Sequence, residues 1–221
     1  MSKQRTEVSR AVEDYLKAIL QLAGDEGAVS TSALADRLGI SQPSVTAMTK
    51  KLAADGLVER VPYRGVTLTR PGRRIALEVL RHHRLLELFL ADTLGLPLDE
   101  VHDEAERLEH VLSEELEARI DAALGYPTHD PHGDPIPDRE LRLAASDRRV
   151  LTELQAGETT TVTRVPDWDP ELLRYLGELA LVPGASVEVV SYAPFGGPVT
   201  VRSGSGEHAI ARELAGTIAV A

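Results

Sequence analysis

The sequence predicts a mainly α-helical protein with a smaller share of β-structure, arranged as three consecutive parts. Residues 1–74 hold short amphipathic helical segments that end in two extended runs. Residues 75–143 place apolar side chains at helical spacing and carry the largest share of the acidic residues. In residues 147–221 the apolar period changes to that of strands, which predicts a small β-barrel.

The first part begins with a predicted three-helix unit. Residues 8–23 fit an amphipathic helix, and Ser30–Ser32 supplies N-cap oxygens for a short second helix. Ser41 is a good N-cap for a third helix, because Pro43 then falls in the first turn, where its missing N–H costs nothing. The glycine at position 39 separates the second and third helices, so the pattern indicates a helix-turn-helix.

Two extended runs, residues 57–62 and 66–69, follow the third helix and are joined through Tyr63-Arg64-Gly65. They predict a β-hairpin that forms a wing beside a recognition helix. Such a helix presents small polar side chains to base edges, while basic side chains contact phosphates. The candidate DNA-binding residues are Ser41, Gln42, Pro43, Ser44, Thr46, Lys50 and Arg64.

The middle part is predicted to hold a long helix over residues 73–94 and one continuous helix over 99–123. Residues 125–138 contain four prolines and two glycines, so they are predicted to form a loop. A polar hinge is predicted near residues 144–147. The last part is predicted to hold strands over residues 159–165, 186–191, 198–202 and 217–220, with one helix over 170–179.

Composition narrows the classes of function. The chain of 221 residues has a net charge of −11, but residues 1–75 hold 12 Lys/Arg and 8 Asp/Glu, whereas residues 76–145 hold 6 and 17. A mildly basic head before an acidic middle suggests separate tasks. The absence of cysteine excludes disulfides and thiolate metal sites. No apolar run is long enough to cross a membrane and no signal peptide is evident, so the cytoplasm is the expected location.

The predicted helix over residues 99–123 carries possible metal ligands. With about 100° of rotation per residue, four donor side chains share one face of it, about 100° wide. They are His102, Glu106, Glu109 and His110. The preceding helix offers His83 and Glu87 four residues apart. Imidazole and carboxylate donors without sulfur suit Mn(II), Fe(II) or Zn(II), and a solvated acidic face is the alternative that spacing alone leaves open.

Several runs, in order along nearly the whole chain, resemble the diphtheria toxin repressor family of iron- and manganese-dependent regulators. These runs are Glu13–Leu16, Tyr63–Thr69, Arg81–Glu87, Val101–His110, Pro131–Pro137 and Asp169–Leu176. The resemblance implies a winged-helix domain, a helical metal-binding and dimerisation domain, and a C-terminal SH3-like domain. It also implies a homodimer that binds double-stranded operator DNA when loaded with metal, and that has no organic cofactor.

The family further implies two metal sites in each subunit. The regulatory site maps to Asp14, Glu106, Glu109 and His110. The iron-responsive branch is expected to have Met and Cys where this chain has Asp14 and Glu106, so the chain is similar to the manganese-responsive branch. Zn(II) or Co(II) is expected to substitute for Mn(II) in vitro. Lys17 stands where the shortest manganese regulators have a glutamate, so a closely bridged two-metal cluster is not expected.

The second implied site maps to residues of the helical part and one residue of the third part. They are His83, Glu87, His102 and Asp167. Arg164 stands where the family leads us to expect another carboxylate.

Three other hypotheses remain open at this point. The chain could be an Fe(II)-responsive repressor of the same family. It could be a metal-dependent hydrolase, since His/Glu sites can activate water, although we find no separate nucleophile or general base. It could also be a winged-helix regulator of a small organic ligand, but the acidic middle part has few aromatic residues to line a pocket for one.

Overall fold

A computed structural model describes residues 8–23, 27–144 and 149–221. The helices within them are α1 (Arg10–Leu22), α2 (Thr31–Leu38), α3 (Gln42–Ala54), α4 (Arg70–Asp92), α5 (Val101–Leu108), α6 (Glu114–Ala123), α7 (Pro170–Glu178) and α8 (Arg212–Ala215). The strands are β1 (Val58–Val61), β2 (Gly65–Leu68), β3 (Arg149–Val150), β4 (Thr159–Arg164), β5 (Ser186–Tyr192), β6 (Val199–Ser203), β7 (Gly206–Ile210) and β8 (Ala219–Val220). The predicted fold class is confirmed. The predicted hinge near residues 144–147 lies mostly outside the described residues.

The described residues divide into two compact units that do not follow chain order. The first unit comprises Met1–His82, Glu109–Leu112 and Pro137–Leu143. The second comprises His83–Leu108, Ser113–Ile136 and Ala144–Ala221. Helix α4 therefore contributes residues to both units, and a short segment near residue 110 returns to the first.

The first unit contains the predicted helix-turn-helix. Helices α1, α2 and α3 share an apolar core whose most deeply buried members include Leu16, Ile19, Leu34, Val45 and Leu52. The predicted caps are present, because the Ser30 hydroxyl accepts the Ala33 N–H at 3.1 Å and the Ser41 hydroxyl lies 3.4 Å from the Ser44 N–H. Gly39 has a φ of 65°, and this left-handed conformation ends α2.

The predicted wing is also confirmed. Strands β1 and β2 pair in antiparallel register from Val58 opposite Leu68 to Val61 opposite Gly65. On the other side of β2, Val29 and Val66 exchange two backbone hydrogen bonds of 2.8 and 2.9 Å. Gly65 has a φ of 116°, and a Cβ at this position would lie 1.9 Å from the carbonyl oxygen of Val29. Glycine is therefore what allows the wing to pack this closely.

The predicted continuous helix over residues 99–123 is wrong. Helix α5 ends at Leu108, residues 109–111 form a turn, and α6 begins at Glu114. Two interactions favour the break. The Ser113 hydroxyl caps α6 by accepting the Leu116 N–H at 3.3 Å, and Glu109 is fully buried beside Lys17 in the first unit. Glu109 and His110 therefore do not continue the helical face of His102 and Glu106.

The second unit contains a small antiparallel β-structure. Its six strands follow the order β3-β8-β4-β5-β6-β7, with register shifts in β4 and β5 that bend the sheet. The enclosed core includes Val162, Leu176, Leu181, Val189 and Ile210. The four predicted strands are present, whereas β3, β7 and α8 were not predicted. No helix within the described residues combines the length and apolar character that a membrane span requires.

Candidate metal centres and DNA-binding surface

The first candidate centre lies in the first unit and joins α1 to the turn after α5. Its three donor side chains are Asp14, Glu109 and His110, with one donor atom from each within 4.8 Å of the others. The Nε2 atom of His110 lies 2.8 Å from Oδ1 of Asp14 and 3.2 Å from Oε1 of Glu109. Among the described residues, Nε2 and this Oδ1 have no hydrogen bond of good geometry. Converging buried donors of this kind fit a divalent cation.

Glu13 contacts His110 at the ring nitrogen that does not face Asp14 and Glu109. The sequence did not predict this contact. The side chain of Glu13 is buried, and its Oε2 accepts a hydrogen bond of 2.6 Å from Nδ1 of His110. A carboxylate on Nδ1 orients an imidazole and leaves Nε2 available as a ligand. The signal in the sequence was the pair of adjacent carboxylates on α1, because one of two such neighbours can turn inward while the other faces the centre.

A buried ammonium group also borders the first centre. The Nζ atom of Lys17 donates to both carboxylate oxygens of Glu109, at 2.7 and 2.8 Å. The two side chains are 6% and 0% exposed, so this ion pair is shielded from water. Lys17 stands one helical turn after Glu13 and three residues after Asp14, which places it beside the centre.

The electrostatics of the metal-free first centre favour a charged imidazole. Burial lowers the pKa of His110, but its contacts with the carboxylates of Asp14, Glu109 and Glu13 raise that pKa more strongly, to about 11. The ring is therefore protonated at neutral pH. A metal ion on Nε2 has to replace that proton.

The second candidate centre lies wholly in the second unit. The Oε1 atom of Glu87 lies 2.9 Å from Nε2 of His83 and 3.1 Å from Nδ1 of His102. Donor atoms of Glu87, His102 and Asp167 lie within 4.8 Å of one another, so the structure brings all four predicted residues together. Burial raises the pKa of Glu87, but the neighbouring imidazoles of His83, His102 and His132 hold it well below its usual range. This carboxylate is therefore ionised.

His132 belongs to the same neighbourhood and was not predicted. Its ring is fully buried, and neither ring nitrogen has a hydrogen-bond partner among the described residues. Its Nε2 lies 4.0 Å from Oε1 of Glu87. The other carboxylate oxygen of Glu87, Oε2, also has no hydrogen-bond partner among the described residues. Burial lowers the pKa of His132, which favours the neutral imidazole that binds metals. Buried polar atoms without partners are rare, and a bound cation would satisfy these.

The loop that carries His132 is fixed to strand β4. The carbonyl of His132 accepts the Val165 N–H at 3.0 Å, and a Cβ on Gly133 would lie 1.9 Å from the Thr163 carbonyl oxygen. Arg164 donates to Asp134 at 2.7 Å. Arg164 therefore pairs with this loop. Its side chain does not supply the carboxylate ligand that the family led us to expect at this position.

Glu106 is placed differently from the other residues of the implied regulatory site. Its Oε1 lies 3.9 Å from Nε2 of His102, and it groups with His83 and His102 in the second unit. Asp14, Glu109 and His110 form their own group in the first unit. The implied assignment of Glu106 to the regulatory site thus stays a prediction.

The predicted DNA-binding residues lie on α3 and on the wing. Val45 and Thr49 face the core, so the remaining side chains of the first turns point outward. The exposed ones are Ser41, Gln42, Pro43, Ser44, Lys50 and Arg64, and Thr46 is half-buried. A cleft of about 590 Å³ separates α3 from the wing, and Thr46, Arg60 and Arg64 are among the residues that line it. A polar helix beside a basic wing is suited to a duplex.

Family models match three successive stretches of the chain. Residues 7–66 match the model described as iron dependent repressor, N-terminal DNA binding domain. Residues 69–138 match iron dependent repressor, metal binding and dimerisation domain. Residues 149–221 match the FeoA domain.

Individual relatives cover almost the whole chain. The iron-dependent repressor IdeR of Mycobacterium tuberculosis is 37% identical over 97% of this chain and 98% of its own length. A solved manganese-dependent transcriptional repressor in complex with manganese is 41% identical, with a TM-score of 0.86 over 95% of this chain and 98% of that one. ScaR with bound Zn²⁺ is 32% identical, with a TM-score of 0.80 over 95% of this chain and 98% of that one.

Proposed function

Since this chain belongs to the diphtheria toxin repressor family of metal-dependent transcriptional repressors, we propose that Mn(II) is the ion to which it responds. The loaded protein binds operator DNA as a homodimer and represses genes for metal uptake. The relatives are transcriptional repressors and not enzymes, so the hydrolase hypothesis is set aside. The hypothesis of an organic ligand loses its support because these relatives are iron- or manganese-dependent repressors.

The observation that carries the metal assignment is the donor set of the first centre. Asp14, Glu109 and His110 offer oxygen and nitrogen atoms within 4.8 Å of one another. Mn(II) lies at the weak end of the divalent affinity order, so selection has to come from ligand type and geometry. Hard carboxylate oxygens without a sulfur ligand favour Mn(II) over softer competitors. Glu106 is proposed as a further oxygen ligand, and its identity adds to the same preference.

The chain's own residues connect this centre to the DNA-binding surface. Asp14 lies on α1, and the neighbouring Tyr15 and Leu16 are buried in the core that α1 shares with α2 and α3. When bound, the ion would replace the proton of His110 as the positive charge between the carboxylates of Asp14 and Glu109. Fixing Asp14 against Glu109 and His110 therefore fixes α1, and with it the core beneath α3. Binding in this way selects the conformation that is competent for DNA.

We assign the second centre a supporting role. His83, Glu87, His102 and Asp167 are the proposed ligands, and His132 is added because its two ring nitrogens are buried without partners among the described residues. The donors of this centre come from α4, α5, residues 125–138 and the segment between β4 and α7. A metal ion there would fasten these segments of the second unit to one another.

The homodimer is proposed because residues 69–138 match a metal binding and dimerisation domain. A two-fold dimer presents two recognition helices to two half-sites of a roughly palindromic operator. This role on chromosomal DNA is also why we place the protein in the cytoplasm.

Metal-dependent DNA binding is the direct test. A duplex recovered by in vitro selection with the Mn(II)-loaded protein is titrated in Mn(II) and in chelator. We expect tight binding in Mn(II) alone, and loss of that binding in Asp14→Ala. The control is Glu178→Ala, which removes an exposed carboxylate from α7. Equal affinity in Mn(II) and in chelator would refute metal sensing.

Fe(II) is the second candidate ion, and it is favoured by the similarity to the iron-dependent repressor IdeR. The double variant Asp14→Met and Glu106→Cys introduces soft ligands, which should move the response toward Fe(II). The order of affinities for Mn(II), Fe(II), Co(II) and Zn(II) is measured anaerobically for both proteins. An unchanged order would count against selection by ligand softness.

A further inference from the structure

The ammonium group of Lys17 lies directly against Glu109, a proposed metal ligand. It contacts both oxygens of Glu109, and Oε1 of the same carboxylate lies 3.2 Å from Nε2 of His110. The oxygen that faces the centre is thus also held by a fixed cation. The side chains of Lys17 and Glu109 are 6% and 0% exposed, so little water screens the interaction.

This arrangement has one effect on the metal-free protein. A buried carboxylate without a partner is strongly unfavourable. Lys17 offsets the charge of Glu109 and donates to both of its oxygens, which stabilises the metal-free centre together with the protonated His110.

The same arrangement has the opposite effect on the loaded protein. A divalent ion on Oε1 of Glu109 shares that oxygen with an ammonium group, and like charges repel strongly where water is scarce. The ammonium also donates to lone pairs that a metal would use. Lys17 therefore disfavours metal binding while it favours the folded metal-free state.

We propose that Lys17 is a built-in counter-ion that sets the metal concentration at which the first centre loads. It stabilises the empty centre and weakens the affinity of the filled one, so that repression begins only when the ion is abundant. The inference rests on the proposed role of the first centre as a divalent metal site.

Three variants at position 17 distinguish the effect of the Lys17 charge on metal binding from the effect of its side-chain shape. Lys17→Met keeps most of the volume and removes the charge. Lys17→Gln keeps a hydrogen-bond donor without charge, and Lys17→Arg keeps the charge. Lys51→Met is the matched control, since it makes the same substitution at an exposed position of α3. The affinity for Mn(II) is measured by calorimetry in the absence of DNA, and thermal unfolding is measured in chelator.

We expect Lys17→Met and Lys17→Gln to bind Mn(II) at least about tenfold more tightly than the wild type. Both should unfold at a lower temperature in chelator, and Mn(II) should raise their unfolding temperature by more than it raises that of the wild type. Lys17→Arg and Lys51→Met should keep an affinity close to that of the wild type.

Two outcomes overturn the inference alone. One is an unchanged Mn(II) affinity in the neutral variants, and the other is a weaker affinity, which would mean that Lys17 only positions Glu109. If Lys17→Met does not fold in chelator, the comparison of Lys17→Gln with Lys17→Arg decides the question. A wild-type protein that binds no divalent ion would instead overturn the proposed function, and this inference with it.

Discussion

Oε2 of Glu13 lies 2.6 Å from Nδ1 of His110, although the two residues are 97 positions apart in the chain. Both side chains are nearly buried, at 5% and 6% exposure. The contact leaves Nε2 of His110 directed at Asp14 and Glu109. Glu13 is thus placed to orient the imidazole without being a ligand itself.

Glu13→Ala should weaken Mn(II) binding by about tenfold or more, which is the usual effect of removing a residue that orients a histidine ligand. Glu13→Gln keeps an acceptor for the Nδ1 proton and should recover part of the loss. Calorimetry gives both affinities, and Glu59→Gln on the exposed face of β1 is the control. Equal affinities for Glu13→Ala and the wild type would show that the contact does not affect how His110 binds Mn(II).

The protonated state of His110 predicts a dependence of stability on pH. Its pKa of about 11 in the folded, metal-free protein exceeds the ordinary value of 6.5. The stabilisation from this group is therefore complete below about pH 6.5, and it is lost as pH rises toward 11. Denaturant unfolding in chelator should give a free energy of unfolding that falls over this window. In His110→Gln the fall should be smaller, and an identical pH profile would contradict the assignment.

The same proton should be released when metal binds. Calorimetric titration of Mn(II) near pH 7.5 in buffers with different ionisation enthalpies should report up to about one proton displaced per ion at the first centre. The apparent affinity should rise with pH. A proton count near zero would mean that His110 is not displaced from its protonated state by the ion.

Replacing His132 should reduce metal binding at the second centre without destabilising the fold. His132→Phe exchanges two unpartnered buried nitrogens for an apolar ring of similar shape, so the unfolding temperature in chelator should change little. If both centres bind Mn(II), metal content after dialysis against Mn(II) should fall from about two ions per chain in the wild type to about one in the variant. A variant that retains both ions would exclude His132 from the ligand set.

Substitutions on the DNA-binding surface should have two kinds of effect on DNA binding. Lys50→Ala and Arg64→Ala should weaken binding to all duplexes and each lower the salt dependence by about one counterion. Gln42→Ala should instead reduce the preference for the selected duplex over random DNA, by about 1–3 kcal/mol. Fluorescence anisotropy across a range of KCl concentrations distinguishes the two. If Gln42→Ala lowers both affinities equally, this side chain does not read bases.

The wing depends on Gly65. Gly65→Ala adds a methyl group where only 1.9 Å separates it from the Val29 carbonyl oxygen, at a φ of 116°. We expect a loss of at least about 2 kcal/mol in the free energy of unfolding, measured in denaturant. Gly39→Ala is the control, because Gly39 has a φ of 65° but nothing within 4 Å of the added carbon. Its loss should be smaller, since it reflects backbone strain alone.

Local patterns in the sequence were sufficient for the fold but not for every detail of the centres. Caps at Ser30 and Ser41 are local interactions, and both helix starts follow from them. Strand β7, with the sequence GEHAI, lacks the alternation of a half-buried strand and was missed. The break after Leu108 was missed because the helical period continues through it. Of the two interactions that favour it, the Ser113 cap is local, but the contact between Glu109 and Lys17 is one that no local pattern reveals.

The candidate centres were likewise predictable where local spacing decides, and not where burial or long-range contacts decide. His83 and Glu87 follow from a spacing of four on one helix, whereas the grouping of Asp14 with residues of a distant helix, and the choice of Asp167, came from the family resemblance. Glu13 was missed because a helical wheel does not decide which of two adjacent carboxylates is buried. His132 was missed because a loop rich in proline and glycine has no period from which burial can be predicted.

The turn at residues 109–111 links metal binding at the proposed first centre to folding of the chain. The contacts of Lys17 and Glu13 with this turn join residues 92 and 97 positions apart. The proposed ligand Asp14 is about as far along the chain from Glu109 and His110. In an unfolded chain, ligands this distant meet rarely, because closing so long a loop costs entropy. The ion should therefore bind the folded chain almost exclusively. In a protein with no cysteine, an ion at the proposed centre would act as a removable cross-link. Its presence would depend on metal supply, whereas that of a disulfide depends on redox conditions.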